Sequence, residues 1–161
     1  MQVFTPVLLT AAVLLATPAF AENAAPTASG TNAEILMQKI KADKKLLVAS
    51  NMELTDAEAK NFWPLYDAYQ KELESINRNL GGTIKEYADA FNKGPVANDT
   101  AKKLMNEALS VQESELKVRR TYAEKIGKVL SASKTARYIQ IETKIRSIIN
   151  AELASQIPLV Y

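Results

Sequence analysis

The stretch LTDAEAKNFWPLY, residues 54–66, sets the start of the longest predicted helix. Thr55 is followed three positions later by Glu58, and this spacing predicts a capping box. In such a box the Thr55 side chain accepts from the backbone N–H of Glu58, and the Glu58 side chain accepts from that of Thr55. Leu54 precedes the cap at the position of a hydrophobic staple. The stretch therefore predicts a helix that begins at about residue 56.

A weaker copy of this opening, LSASKTARYIQIE, covers residues 130–142. Leu130 and Ser131 repeat the staple and the cap, so Ser131 is expected to cap a helix that begins at about residue 132. Lys134 stands where a glutamate or glutamine would close the box, and its ammonium group has no acceptor. The two stretches are interpreted as two helix starts of related design, which is a structural role and not a chemical one.

The residues after the first opening keep helical spacing over a long distance. Large apolar side chains from Phe62 to Phe91 stay in one phase through Gly81 and Gly82. This pattern predicts a single helix over about 56–92. Pro64 is expected to bend or loosen its first turns, and the alternative is a helix that starts at Pro64.

Three further helices complete a predicted all-α fold of four helices in antiparallel hairpins, with a long second helix. No alternating β-branched run bounded by turns is present in the sequence. Asp99 is expected to cap the third helix. The inward side of the fourth is expected to carry Tyr138, Ile141, Ile145, Ile149 and Leu153. These helices are predicted over about 33–50, 99–129 and 132–154.

The chain of 161 residues contains neither cysteine nor histidine. It therefore has no thiol nucleophile, no imidazole base and none of the usual zinc or copper ligands. Acidic pairs such as Glu72 and Glu74 are spaced two apart, so they do not share a helix face. The net charge of +2 gives no strong field for nucleic acid. We expect no enzymatic activity, no catalytic residue, no metal site and no cofactor, and nucleic acid is not an expected partner.

Residues 1–21 have the pattern of a secretory signal peptide. The short apolar run VLLTAAVLLAT is followed by PAFA, whose small residues predict cleavage after Ala21. A membrane anchor is the alternative, although the run is short for a bilayer span. The small and polar residues 22–33 are interpreted as a flexible leader, residues 34–155 as the helical domain and 156–161 as a C-terminal tail. The predicted location is the periplasm.

The motif pair, the signal sequence and the helix order together resemble the Spy/CpxP-like periplasmic proteins, which carry an LTxxQ motif twice. The matching pairs are Leu54-Thr55 and Leu130-Ser131, whereas Glu58 and Lys134 stand where that family has glutamine. The resemblance covers about 34–155 and implies a four-helix, antiparallel, cradle-shaped homodimer. It also implies ATP-independent chaperoning in the envelope-stress response, or control of a membrane sensor kinase. Zinc binding in a related branch depends on histidine, which this chain lacks.

Charge is segregated along the chain. Residues 53–99 carry nine acidic and five basic side chains, whereas residues 117–146 carry nine basic and two acidic ones. One interpretation is that the two blocks attract each other within a single bundle. The functional interpretation is a basic and apolar surface that attracts acidic, partly unfolded chains or anionic lipid.

The third predicted helix has an unusually wide apolar arc, which suits a dimer seam, a client surface or a helix packed on two sides. Glu115 and Arg119 lie within this arc at the spacing of an ion pair. Trp63 lies off the apolar line of the second helix, so it is either a contact residue or packed against a neighbouring helix or the leader. The candidate residues for binding a client are Trp63, Leu116, Lys117, Arg119, Arg120 and Tyr122.

These features predict a holdase-type chaperone that binds unfolded or partly folded proteins without a cofactor. Attraction between opposite charges would speed encounter, and apolar contact would hold the client. The alternative is a regulatory adaptor that docks on one membrane sensor protein. A third interpretation is a purely structural envelope protein.

Overall fold

Residues 32–160 are described by a computed structural model, with side chains from residue 42 onward. They form four helices and no strand, so the prediction of an all-α fold is confirmed for this part of the chain. The predicted signal peptide and most of the predicted leader lie outside the described residues. The helices are α1 (Asn32–Met52), α2 (Asp56–Phe91), α3 (Asn98–Ile126) and α4 (Ala132–Gln156).

Two units divide the described residues. Residues 52–160 form one unit, with α2, α3 and α4, and residues 32–51, nearly all of α1, belong to the other. All the candidate site residues lie in the unit of residues 52–160. Between residues 32 and 160, no helix combines the length and the apolar composition that crossing a bilayer requires.

α2 is one continuous helix of 36 residues, and it runs through Pro64, Gly81 and Gly82. The alternative of a helix that starts at Pro64 is therefore wrong. A proline in a helix interior costs about 3 kcal/mol, because it removes a donor and crowds the preceding turn. The flanking Phe62 and Tyr66 are buried, and each contributes about 1.5–3 kcal/mol by leaving water. Tertiary packing of this turn thus offsets the local cost of the proline.

α3 begins one residue earlier and ends three residues earlier than predicted. Its N-cap residue is Ala97, which offers no side-chain acceptor, so the prediction of Asp99 as the cap is wrong. Asp99 lies in the first turn, where its charge favours the positive end of the helix dipole. At the other end, the backbone N–H groups of Val129 and Leu130 both donate to the Ile126 carbonyl, which closes the helix in a tight turn.

Two polar contacts join α2 and α3. Lys103, early in α3, contacts Glu86, late in α2, at 2.7 Å. Tyr122, late in α3, donates from its hydroxyl to Glu72 of α2 at 2.7 Å. The apolar residues buried within the unit are Met52, Phe62, Tyr66, Tyr69, Leu73, Ile76, Tyr87, Ala88, Leu104, Val111, Tyr122, Ile126, Leu130 and Tyr138.

α4 is spaced away from α2. No Cα atom of α4 lies within 8 Å of a Cα atom of α2, although closely packed helices have axes only about 8–10 Å apart. Long side chains fill the gap, and the buried residues of α4 are Tyr138 and Glu142. The expectation of an apolar inward side is confirmed for Tyr138, and the other four predicted residues are less exposed than most of their neighbours in α4 without being fully buried. The partly exposed residues are Ile141, Ile145, Ile149 and Leu153.

Gly81→Ala is expected to stabilise the protein by about 1 kcal/mol, because alanine is favoured in a helix interior. Nothing lies within 4 Å of the Cβ that the change would add. The free energy of unfolding, measured by urea denaturation, checks this.

Gly94→Ala is the matched control, since Gly94 has a φ of 127° in the turn after α2. L-amino acids rarely adopt that conformation, so the same change there is expected to destabilise by about 1–3 kcal/mol. A loss of stability in Gly81→Ala would contradict the continuity of α2 through its glycines.

Candidate functional site

The start of α2 has the geometry of a complete capping box. Thr55 is extended, with φ −70° and ψ 162°, and its Oγ1 accepts from the backbone N–H of Glu58 at 3.3 Å. The Glu58 carboxylate accepts in return from the backbone N–H of Thr55 at 2.8 Å. Leu54 is partly buried next to the cap. Both hydrogen bonds of the predicted box are therefore present.

The start of α4 has half of this arrangement. Ser131, with φ −62° and ψ 156°, accepts from the backbone N–H of Lys134 at 3.3 Å. The Lys134 side chain does not return to its own cap, because an ammonium group cannot accept a hydrogen bond. Its Nζ donates instead to the Glu58 carboxylate at 2.6 Å and to the Glu53 carbonyl at 3.0 Å.

The two residues that depart from the LTxxQ pattern therefore contact each other. Glu58 Oε2 closes the cap of α2 and also forms the ion pair with Lys134 at the start of α4. The Lys134 ammonium, followed by the Thr55 backbone N–H, holds the pKa of the Glu58 carboxyl below its ordinary value of 4.5. Sequence reasoning treated each motif separately and missed this pair. Opposite charges at equivalent positions of the two motifs were the signal that could have revealed it.

Trp63 is packed into an aromatic cluster on the first turns of α2. Its ring centroid lies 5.0 Å from that of Phe62 and 5.3 Å from that of Tyr66, and both pairs are edge-on. Phe62 lies in turn 5.1 Å from Tyr138 of α4. Edge-on pairs of this kind contribute about 0.5–1.5 kcal/mol each beyond burial. The arrangement favours the packing interpretation of Trp63 over that of a surface contact.

Two other candidates for client binding, Arg119 and Tyr122, lie inside the unit. Arg119 pairs with Glu115 at 2.6 Å, as their spacing predicts, and Glu115 also binds Arg146 of α4 at 2.7 Å. Tyr122 is buried, and its burial together with the hydrogen bond to Glu72 raises the pKa of Tyr122 to about 12. The assignment of both residues to a client surface is therefore corrected, because they join helices within the unit.

Glu142 is a buried acid that sequence reasoning did not single out. Its carboxylate accepts from Gln70 Nε2 at 3.1 Å. Burial, followed by the negative charge of Glu142, raises the pKa of Tyr69 to about 12 and that of Tyr138 well above its usual range. These phenols stay protonated at neutral pH, and the Tyr138 hydroxyl lies 3.5 Å from Gln70 Nε2. The layer between α2 and α4 is thus a hydrogen-bonded polar network.

An exposed apolar line runs along α3. Met105, Leu109 and Leu116 are 56%, 50% and 48% exposed, and at about 100° per residue they lie within about 40° of one another around the helix. Arg120 and Lys117 are also exposed, and they lie about 40° and about 100° from Leu116 around the helix. These five residues form what we call the α3 face. It includes three of the residues predicted to bind a client. Sequence reasoning missed its apolar line, because a wide apolar arc does not show which side of the helix is covered by other helices.

The basic block of residues 117–146 is only partly neutralised within the unit. Four of its cations are in ion pairs: Arg119 and Arg146 with Glu115, Lys134 with Glu58, and Arg137 with Glu53. Within residues 42–160, the five that are exposed and form no ion pair are Lys117, Arg120, Lys125, Lys128 and Lys144. The exposed Glu113 and Glu124 of α3 reduce this positive charge without cancelling it. Internal pairing thus leaves a net positive charge for a partner.

A groove of about 710 Å³ lies between α2 and α3, and no residue of the α3 face lines it. Its walls combine small polar side chains with charged and apolar ones, and its cations are paired, Lys103 with Glu86 and Arg78 with Glu74. In the described part of the chain, no three acidic side chains come together in a way that could hold a metal ion. The α3 face is therefore the better candidate for a functional surface.

No family model, no curated protein and no solved structure matches the chain. The resemblance to the Spy/CpxP-like proteins rests on the two motifs, the signal sequence and the helix order, and it stays a prediction.

Glutamine substitutions test the coupling of the two motifs. Glu58→Gln and Lys134→Gln are each expected to lower the free energy of unfolding, because each leaves a partly buried charge without its partner. The double variant is expected to lose less than the two single losses added, since the two amides can hydrogen-bond to each other. Urea denaturation of the four proteins measures the coupling. The exposed pair Glu86 and Lys103 is the matched control, with a smaller coupling expected, and purely additive losses at 58 and 134 would contradict the pairing.

The contribution of the Glu58–Lys134 pair is expected to depend on pH. The pKa of folded Glu58 is lowered, so its stabilising effect is fully present above the ordinary value of 4.5. That effect is lost as the pH falls through the lowered pKa of the folded state. The stability difference between the wild type and Lys134→Gln is therefore expected to be constant near neutral pH and to shrink in acid. A difference that grew on acidification would contradict the assignment.

Proposed function

We propose that residues 52–160 form an ATP-independent, holdase-type protein-binding unit that acts in the periplasm on acidic, partly unfolded chains. The observation that carries this proposal is the α3 face, where an exposed apolar line adjoins cations without acidic partners. Three exposed apolar side chains on one side of a helix are a feature of interaction surfaces. The positive charge around them selects negatively charged partners.

The cations act before contact. Attraction between the exposed lysines and arginine and an acidic chain raises the rate of encounter, and it is screened over about 10 Å at 0.1 M salt. The apolar line then acts at contact, where it removes water from the client's own apolar residues. No nucleotide is needed for either step, because both are equilibrium binding.

The apolar line alone binds a client weakly. Each of its three side chains contributes about 1.5–3 kcal/mol when fully removed from water. About half of each is already covered, so together they supply about 2–5 kcal/mol. A micromolar complex needs about 8 kcal/mol in addition to the cost of association. The α3 face therefore suits capture and quick release, and firmer holding requires further apolar surface.

An antiparallel arrangement of the hairpins and a homodimer are part of this proposal. The pairing of Lys103 with Glu86 and of Tyr122 with Glu72 supports antiparallel α2 and α3. Light scattering of the purified protein over a range of concentrations measures the oligomeric state, and a constant monomer mass would remove the dimer from the proposal.

Aggregation of a destabilised, acidic test protein is expected to slow when the purified protein is added, and to slow less as salt is raised. Lys117→Gln with Arg120→Gln is expected to weaken this suppression about tenfold at low salt, because it removes the unpaired charge of the α3 face. Light scattering of the test protein measures both effects.

Lys60→Gln with Lys71→Gln is the matched control, since it removes the same charge from exposed positions of α2. Equal effects of the two double variants would show that net charge acts and that the α3 face does not. No suppression at any salt concentration would contradict the holdase, and selective binding of one folded protein would then favour the sensor-docking adaptor.

A further inference from the structure

α4 covers the aromatic part of α2 but is held there by long polar side chains. Its inner residues recur every four positions, and three of them make polar contacts with α2. Lys134 binds Glu58, Glu142 accepts from Gln70, and Arg146 donates to Asn77 at 2.9 Å. Near the end of α4, the Tyr87 hydroxyl donates to the Pro158 carbonyl at 2.9 Å. Water can replace each of these contacts at modest cost, unlike the apolar packing of a core.

A cluster of aromatic rings lies between α2 and α4. Phe62, Tyr66 and Tyr69 of α2 are all buried, and each has its ring within 6.2 Å of the ring of Tyr138. The rings of Phe62, Tyr66 and Tyr69 pack only partly against α2 and α3, because the fourth ring of the group, that of Tyr138, belongs to α4. Removing α4 would therefore open a continuous aromatic surface on α2.

Few apolar side chains of α4 are fully buried. Tyr138 is its one buried apolar residue among those described, whereas Ile148 is 64% exposed and its other isoleucines are partly exposed. No Cα atom of α4 lies within 8 Å of one in α2. Local opening is favoured where buried apolar contacts are few and backbone packing is loose.

We propose that α4 is a removable cover over a second client site, formed by the rings of Phe62, Tyr66 and Tyr69. The ligand class is an apolar or aromatic segment of an unfolded chain, which takes the place of Tyr138 and its neighbours. This inference rests on the proposed holdase function and extends it. The rings beneath α4 supply the additional apolar surface that the α3 face lacks. α4 keeps that surface out of water when no client is present.

The movement starts from the end of α4. The start is tied to α3 by the short turn of residues 127–131 and to α2 by the Glu58–Lys134 pair. The end is held by Arg146, which binds Asn77 of α2 and Glu115 of α3, and by the hydrogen bond of Tyr87 to Pro158. Opening therefore breaks the contacts of Arg146 and Tyr87 first and uncovers α2 from that end.

Hydrogen exchange of the protein without client tests the cover by itself. The amides of α4 are expected to exchange together, about tenfold or more faster than the facing amides in the middle of α2 and α3. Tyr87→Phe removes one hydroxyl and is expected to speed exchange at the end of α4 by about threefold to tenfold. Exchange in α4 as slow as in α2, or no change in Tyr87→Phe, would overturn the proposal.

A reversible cross-link tests the second site. The chain has no cysteine, so Asn77→Cys with Arg146→Cys can be joined selectively by a cleavable bis-maleimide. Joining is expected to weaken suppression of aggregation about tenfold, because the closed state cannot bind the client, and cleavage of the linker is expected to restore it. Glu86→Cys with Lys103→Cys joins α2 to α3 without α4 and is the matched control.

The outcomes separate the cover from the function. Full suppression by the joined 77–146 protein, in a wild type that suppresses aggregation, would overturn the cover and leave the holdase on the α3 face. A wild type without suppression would overturn the holdase, and hydrogen exchange would still decide whether α4 opens. If both joined proteins lost suppression of aggregation, any cross-link within the unit would be inhibitory. That result would also overturn a cover specific to α4.

Discussion

One carboxylate, that of Glu58, connects α2 with α4. It completes the cap of α2 and at the same time binds Lys134 at the start of α4. Lys134 also donates to the carbonyl of Glu53, a non-glycine residue with a φ of 47° just before α2. The cap of α2 and the attachment of the start of α4 to α2 thus share one carboxylate.

The unit uses two kinds of packing. α2 and α3 share a compact apolar interface, whereas α4 meets them through tyrosines, glutamine and ion pairs. Charges in a layer of this kind lose hydration, so such pairs fix an orientation more than they add stability. Arg119 Nε, which is buried without a hydrogen-bond partner in the described residues, shows that the layer is not fully satisfied. α2 and α3 thus form the firmly packed part of the unit, and α4 is attached to them mainly by polar contacts.

Local signals in the sequence predicted the helices well and their contacts less well. The phase of the apolar residues in α2 survives two glycines and a proline because a long run in one phase outweighs single breaking residues. Asp99 failed as a cap because α3 already begins before it, with Ala97 as an N-cap that has no side-chain acceptor. The inward side of α4 was predicted from its isoleucines, yet long side chains such as Arg146 and Glu142 reach partners across the gap, and no periodicity reveals those partners. For the same reason Tyr122 was taken for a surface residue, because its partner Glu72 lies on another helix.

The aromatic cluster gives the protein a built-in optical reporter. Trp63 is the only tryptophan of the chain, and its ring lies edge-on to Phe62, which in turn touches Tyr138 of α4. Tryptophan emission depends on the polarity and rigidity of its surroundings. Its spectrum and anisotropy therefore register the state of the α2–α4 contact in the unlabelled protein, without any mutation at the site being observed.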